Sequence, residues 1–463
     1  MHVVALLLLL NATSIPVSLQ HLQLDLAVDY AAERIDGVAR LTIKNVTDAP
    51  VTVVPLLLNR LMTIKRATAA DSTSLGLEQD VVIFADDPTC QVDAANVTLP
   101  APLAPGKTTT IAVEYGGHLV GYVETGSLYI KDHISEEFTI IREDAWAFPG
   151  IGVPSRRLNR AGPRGTFTFD VHVDVPTGLV VAAGGTLAGT QEAKGRTTFH
   201  YSSDVPAPFV NIGIAKYKTL ESDGVRVDYF ASDEAGAKIV MDRAQKALHL
   251  YEQWFGPLPQ PPRFTIIEIP EGYGPQASLV AGIILESTVF HDPDYLQSMY
   301  HEIGHFWNVP DRDVPSPRWN EGLSTWFQVV VPEVLDQKPN PRFDARVFDR
   351  TQKTIASDEQ LKRVPLKDYG KERMTDNSYG IGYLYLHVLE KVIGREQLLG
   401  VLHDYFQSYK IKGGTLRELT TLLESRYPLT RAIDADWIET PAWADKLTKA
   451  KSIEDLAATY KQR

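Results

Sequence analysis

A chain of 463 residues with 44% hydrophobic and 22% charged side chains lies in the globular range and is long enough for more than one core. A net charge of -12 with no long Lys/Arg run excludes the concentrated basic surface that nucleic acid requires. The single cysteine, Cys90, excludes an intrachain disulfide and a cysteine-rich metal cluster, and leaves the redox compartment open.

In chain order, residues 1–20 place an apolar run, Val3 to Leu10, ahead of small and polar residues. That is the layout of the later part of a secretory signal, and it predicts export to the periplasm or the exterior. No Lys or Arg precedes the run, so it reads either as a signal whose beginning lies upstream of Met1 or as the first hydrophobic strand of the fold, which leaves a cytoplasmic location open. The run is too short to span a bilayer and no later stretch of about 20 apolar residues follows, so no integral membrane segment is expected.

From Leu22 to Tyr217 the segments LQLDLAVDY, VARLTIKNV, TTTIAVEYGG, GTFTFDVHVDV, RTTFHYSS and FVNIGIAKYK alternate apolar with polar residues. This is the period of half-buried strands, and the Gly/Pro punctuation between them marks turns. The spacing predicts a β-sandwich domain over 21–220. Beyond VRVDYFASDE the rhythm becomes helical: AGAKIVMDRAQKALHLYEQWFG sets Ile239, Ala244, Leu248 and Tyr251 near one side and ends at Gly256 and Pro257. RFTIIEIP and AGIILESTVF read as buried strands. The rest of a second domain, 221–463, reads mainly as helices, so the fold class is α+β multidomain.

The stretch MYHEIGHFWNV carries the chemistry. Asp292 and Pro293 are an N-cap and first-turn pair, Asp294 suits the positive end of the helix dipole, and Pro310 stops the helix after about Asn308. On that helix His301 and His305 lie one turn apart on one face and can hold one metal, while Glu302 can reach a metal-bound water. Catalytic zinc takes three protein ligands. Asp311 stands where the metzincin pattern has its last ligand, but that route needs glycine at 308 and the chain has Asn308. Glu321, in RWNEGLSTW at the start of a new helix, completes a two-His, one-Glu set.

These residues resemble the zinc aminopeptidases of the aminopeptidase N family, in the gluzincin group. HEIGHFWN and WNEGLSTW are similar to its HExxHxW and W-x-x-EG segments. LQLDLAVDYAAERIDGVARLTIKN, FPGIGVPSRRLNRAGPRGTFTFDVHVDVPTGL and ALHLYEQWFGPLPQPPRFTIIEIP extend the likeness over most of 21–425. The resemblance implies a thermolysin-like catalytic domain, one zinc ion and a peptide substrate. It also implies that Tyr379 in SYGIG donates to the oxyanion, with Tyr383 and Tyr385 as packing residues.

Three departures accompany the resemblance. Fifteen residues separate His305 from Glu321 where the family has eighteen. The family's G-x-M-E-N segment, whose acid holds the free amino terminus, reads GYGPQAS: Gly274 is kept, Ala277 stands at or near the acid, and Gln276 can hydrogen-bond a substrate backbone. Glu268 or Glu271 is then a substitute amine anchor, or an ordinary strand-end or loop acid. The resemblance also leads to the expectation of a compact member, without the family's large C-terminal helical domain.

The expected activity is peptide hydrolysis as an aminopeptidase: zinc on His301, His305 and Glu321, Glu302 as general base, and Tyr379 on the oxyanion. The alternatives are a peptidase that needs no free amino terminus and an inactive zinc-binding scaffold. Retention of Glu302 and Tyr379, neither needed to hold metal, argues against the last.

Overall fold

The computed structural model describes residues 15–119, 131–161, 165–258, 264–278, 280, 282–337, 339 and 341–461. The apolar run Val3–Leu10 lies outside them, and the first strand starts at Val17. Multiple sheets fill the N-terminal half and helices the C-terminal half. Contacts divide the chain into two compact units, residues 1–241 with 262–292 and residues 242–261 with 293–463. The strands beyond residue 220 therefore group with the strand-rich unit.

In the first unit a seven-stranded sheet runs, edge to edge, Thr186–Ala193, Arg196–Ala207, Phe167–Pro176, Val17–Asp29, Arg34–Asn45, Thr108–Gly117 and Met62–Ala69. Its strands alternate as the sequence predicts: Phe167, Phe169, Val171, Val173 and Val175 are buried between half-exposed neighbours. A four-stranded sheet (Gly76–Phe84, Asp87–Leu103, Val51–Asn59, Gly150–Ile151) shares its core, since Leu24, Val113, Leu56 and Val97 belong to one buried cluster.

The same unit holds a five-stranded sheet in the order Tyr217–Ser222, Val225–Phe230, Phe264–Ile269, Gly282–Glu286, Gln276–Ser278. Its three middle strands are parallel and its edge strands antiparallel. Phe264–Ile269 is buried at every position, as in a parallel strand covered on both faces.

The helix Glu234–Phe255 forms as the periodicity predicts and ends at Gly256, whose φ of 77° suits glycine. Its buried stripe, however, is Ala237, Val240, Ala244, Ala247, Leu248 and Tyr251, whereas Ile239 is 43% exposed. Ile239 precedes Ala244 by five residues, about 140° round the helix, and so belongs to another face.

The second unit is helical. The motif helix differs from the single run expected from 292 to 308: Pro293–Tyr295 is a 3-10 turn, Leu296–Gly304 is α-helical, and His305–Trp307 is again 3-10. Asn308 is already extended at φ -67°, ψ 140°, two residues before Pro310, which cannot continue a helix. Gly304 lets this helix approach its neighbours: a Cβ there would lie 3.0 Å from Phe327 and 3.1 Å from the Tyr251 hydroxyl.

Two further helices, Trp319–Asp336 and Ser378–Ile393, cross where Gly322 meets Gly382. A Cβ on Gly322 would stand 2.5 Å from the Gly382 Cα, so the backbones touch with no side chain between them. This crossing sets the start of one helix, with Glu321, beside the start of the other, with Tyr379. Gly322→Ala is expected to push the helices apart, lowering stability by about 1–3 kcal/mol as overpacking does. A urea unfolding midpoint indistinguishable from that of the unaltered protein would show that the crossing yields without cost.

Candidate active site

His301 and Glu302 face inward from the last α-helical turn of the motif helix, and His305 begins the 3-10 turn that follows. Glu321 lies in the first turn of Trp319–Asp336. His301, Glu302 and Glu321 are buried, and His305 is partly buried. Glu321 Oε2 sits 3.4 Å from His301 Nε2 and 3.4 Å from His305 Nε2. Ligand atoms about 2.0–2.1 Å from a tetrahedral zinc lie roughly 3.3–3.4 Å from one another. The donor set and its spacing therefore fit one zinc ion.

Electrostatics hold Glu321 ionised. Burial alone would raise its pKa, but His301, His305 and Arg318 outweigh that and leave the carboxyl well below the usual carboxylate range. Its oxygens divide their work, because Oε2 faces the imidazoles while Oε1 accepts a hydrogen bond from Arg318. Glu302 behaves oppositely: burial pushes it up to about 7, with His301 opposing and Glu321 adding to the rise. Two neighbouring carboxyls are thus driven apart in proton affinity, a pattern common at acid–base sites.

The outer partners of His305 explain its orientation. Its Nδ1 lies 3.0 Å from Ser324 Oγ and 2.6 Å from Asn308 Nδ2, while Asn308 Oδ1 is buried without a hydrogen-bond partner. If Nε2 is the ligand atom, Nδ1 carries the proton and must donate. A half-turn of the Asn308 amide puts its oxygen on that N–H and satisfies the buried acceptor as well. Ser324 and Asn308 then lock the tautomer that leaves Nε2 free.

Tyr379 stacks on His301 with ring centroids 5.9 Å apart and planes 7° from parallel, and it is 37% exposed. Its phenol is raised above the ordinary value, chiefly by burial and then by the Glu321 charge, so it keeps its proton for donation. Arg318 adds a cation 5.8 Å from the centre of that ring. The residue is held at φ 53°, ψ 37°, its N–H donating to Ser316 Oγ at 2.9 Å. Tyr383 and Tyr385 are buried, their hydroxyls bonded to Asp344 and Asp434.

Asp311 stands outside the ligand cluster. It is not simply solvated as the loop composition suggests: burial raises its carboxyl, which accepts from Asp313 N at 2.8 Å and Ser316 Oγ at 2.5 Å and shapes the loop leading to Arg318. Arg318, Asn308 and Ser324 went unread in the sequence as site residues. The available signal was position alone, since Arg318 precedes Glu321 by three residues and Asn308 follows His305 by three.

The predicted substrate residues lie in the first unit. Gly274 has φ 73° and its N–H donates to Glu286 Oε1 at 3.0 Å. Gln276 and Ala277 belong to the sheet-edge strand Gln276–Ser278. The Gln276 side chain accepts from Asn211 Nδ2 at 3.0 Å and donates to Asp144. Of the substitute acids, Glu268 is fully buried, and Glu271 accepts from the backbone and hydroxyl of Thr288.

No family model matches the chain. Its sequence is similar to "Probable aminopeptidase 1" of Sulfurisphaera tokodaii, 23% identical over 260 residues, and to Aminopeptidase M1-B of Oryza sativa, 22% identical over 283 residues. The matches cover 50% and 55% of this chain, which spans about a third of the length of these relatives, 32% of each. Among solved structures, an M1 zinc metallopeptidase from Deinococcus radiodurans is 21% identical with a TM-score of 0.66, over 92% of this chain and 95% of that one. Yeast LTA4 hydrolase in complex with bestatin gives 14% and 0.66, over 93% of this chain and 70% of its own. These neighbours and relatives are M1 zinc metallopeptidases and aminopeptidases, enzymes of the hydrolase class, and the present chain has the fold of the M1 zinc metallopeptidases.

Proposed function

We propose that the protein is a zinc-dependent metallopeptidase with a thermolysin-like catalytic unit, acting on peptides as an aminopeptidase. The observation that carries this reading is the pair of 3.4 Å separations between Glu321 Oε2 and the two imidazole Nε2 atoms, the spacing of ligands on one tetrahedral zinc. Zinc, when bound, supplies Lewis acidity at the scissile carbonyl and lowers the pKa of water toward about 7. His301, His305 and Glu321 hold it. Glu302 takes the proton of the attacking water and delivers it to the leaving nitrogen, a role suited to a carboxyl near pH 7. Tyr379, kept protonated and within reach of solvent, donates to the developing oxyanion.

A second reading, a peptidase indifferent to a free amino terminus, is favoured by the residues of the first unit. Ala277 brings no charge, Glu268 is buried, and Glu271 is occupied by Thr288. Matched peptides with free and acetylated amino termini separate the readings: a rate lost on acetylation supports the aminopeptidase, and equal rates support the second.

Glu302→Gln is expected to keep zinc and lose nearly all turnover, and Tyr379→Phe to lose about 10²–10³ in kcat with zinc intact. Substantial turnover by the zinc-loaded Glu302→Gln protein would remove the general-base assignment. Asn308→Leu is expected to weaken zinc binding by about 10–100-fold in competition with a chromophoric chelator. Unchanged affinity there would mean that Ser324 alone orients His305.

A further inference from the structure

We infer that the first unit carries a second metal site, built by Asp233, Glu268 and His291 for a first-row divalent transition ion such as zinc. One ligand atom from each of the three residues lies within 4.8 Å of the other two. His291 Nε2 stands 3.1 Å from Asp233 Oδ1. The site shares no residue with the His301, His305, Glu321 cluster and does not rest on the peptidase reading.

Topology brings these groups together. Val225–Phe230, Phe264–Ile269 and Gly282–Glu286 are adjacent parallel strands, and each supplies one residue at its C-terminal end. Asp233 closes the 3-10 turn after the first, Glu268 is the penultimate residue of the second, and His291 ends the short helix Thr288–His291 after the third. In open parallel sheets this is the end at which ligands bind. Gly236 allows the close approach, because a Cβ there would lie 1.9 Å from the Phe290 carbonyl oxygen and force apart the segments bearing Asp233 and His291.

The buried Glu268 supplies the independent pointer. Its residue is 0% exposed, Oε2 accepts from Phe230 N at 2.8 Å, and Oε1 is buried with no hydrogen-bond partner. Burial pushes Glu268 up to about 8, with the adjoining Asp233 adding to the rise and the Phe230 N–H opposing it. A buried carboxyl beside a second, partly buried carboxylate requires a proton or a cation between them. An imidazole nitrogen facing the same point is a ligand for a transition ion. His291 is 57% exposed at its side chain and leaves an entry path from solvent.

The experiment is zinc stoichiometry by elemental analysis after equilibrium dialysis of the full chain against buffered zinc. The unaltered protein is expected to hold two zinc ions, a double variant His301→Ala/His305→Ala one, and His291→Ala one. Because His291 is exposed, its replacement leaves the fold intact, and zinc should raise the Tm of His301→Ala/His305→Ala but not after His291→Ala is added. A zinc ion retained by the unaltered protein and lost only with His291→Ala would support this site and overturn the peptidase one. A single zinc that disappears entirely in His301→Ala/His305→Ala would overturn the inference and leave Asp233 and Glu268 sharing a proton.

Discussion

The Glu321 carboxylate is the constraint around which the helical unit is arranged. A buried carboxylate costs several kcal/mol unless charge and hydrogen bonds compensate it. Here compensation comes from three sides: His301 and His305 at Oε2, and Arg318 at Oε1. Each partner fixes something else in turn. The two imidazoles require the motif helix to present successive turns, and Arg318 requires a left-handed residue just before the helix Trp319–Asp336. A non-glycine residue in that conformation is uncommon and tends to mark a functional site.

Compensation on this scale works only if the helices stand close enough. Three glycines permit it: Gly304 against Tyr251 and Phe327, and Gly322 against Gly382. In each case the space that a methyl group would take is filled by another element. The Tyr251 ring also stacks on Trp307, and its hydroxyl donates to the Tyr300 carbonyl at 2.8 Å, tying the helix Glu234–Phe255 to the motif helix. The same close packing delivers Ser324 to His305 Nδ1, one turn beyond Glu321 on its helix. The orientation of the His301, His305 and Glu321 side chains and the packing of the helices are therefore one problem solved by the same residues.

Much of this was legible in the sequence because it depends on period alone. Alternation located strands such as Thr108–Gly117, and a spacing of four put His301 and His305 on one face. Glu321 was legible as a carboxylate opening the next helix. What stayed hidden depends on backbone detail or on distant residues. The 3-10 turns at the two ends of the motif helix are backbone detail that a hydrophobic period does not register. Ile239 was misread because any apolar residue in a helical stretch looks like core. Asn308 gained a meaning only when its amide fell beside His305. Glu268 read as a strand-end acid, and only the parallel order of three strands gathers it with Asp233 and His291.

The composition of the two clusters separates their chemistry. Two imidazoles and one carboxylate carry a single formal negative charge, which Arg318 largely offsets, so a divalent ion held there stays strongly electrophilic. Asp233 and Glu268 bring two negative charges to one imidazole, and the described surroundings add no Arg or Lys bonded to either. Such a set neutralises a divalent ion fully, which favours retention of the ion over activation of water. Its ligands issue from three neighbouring strand ends, so an ion there would fasten the C-terminal edge of the sheet.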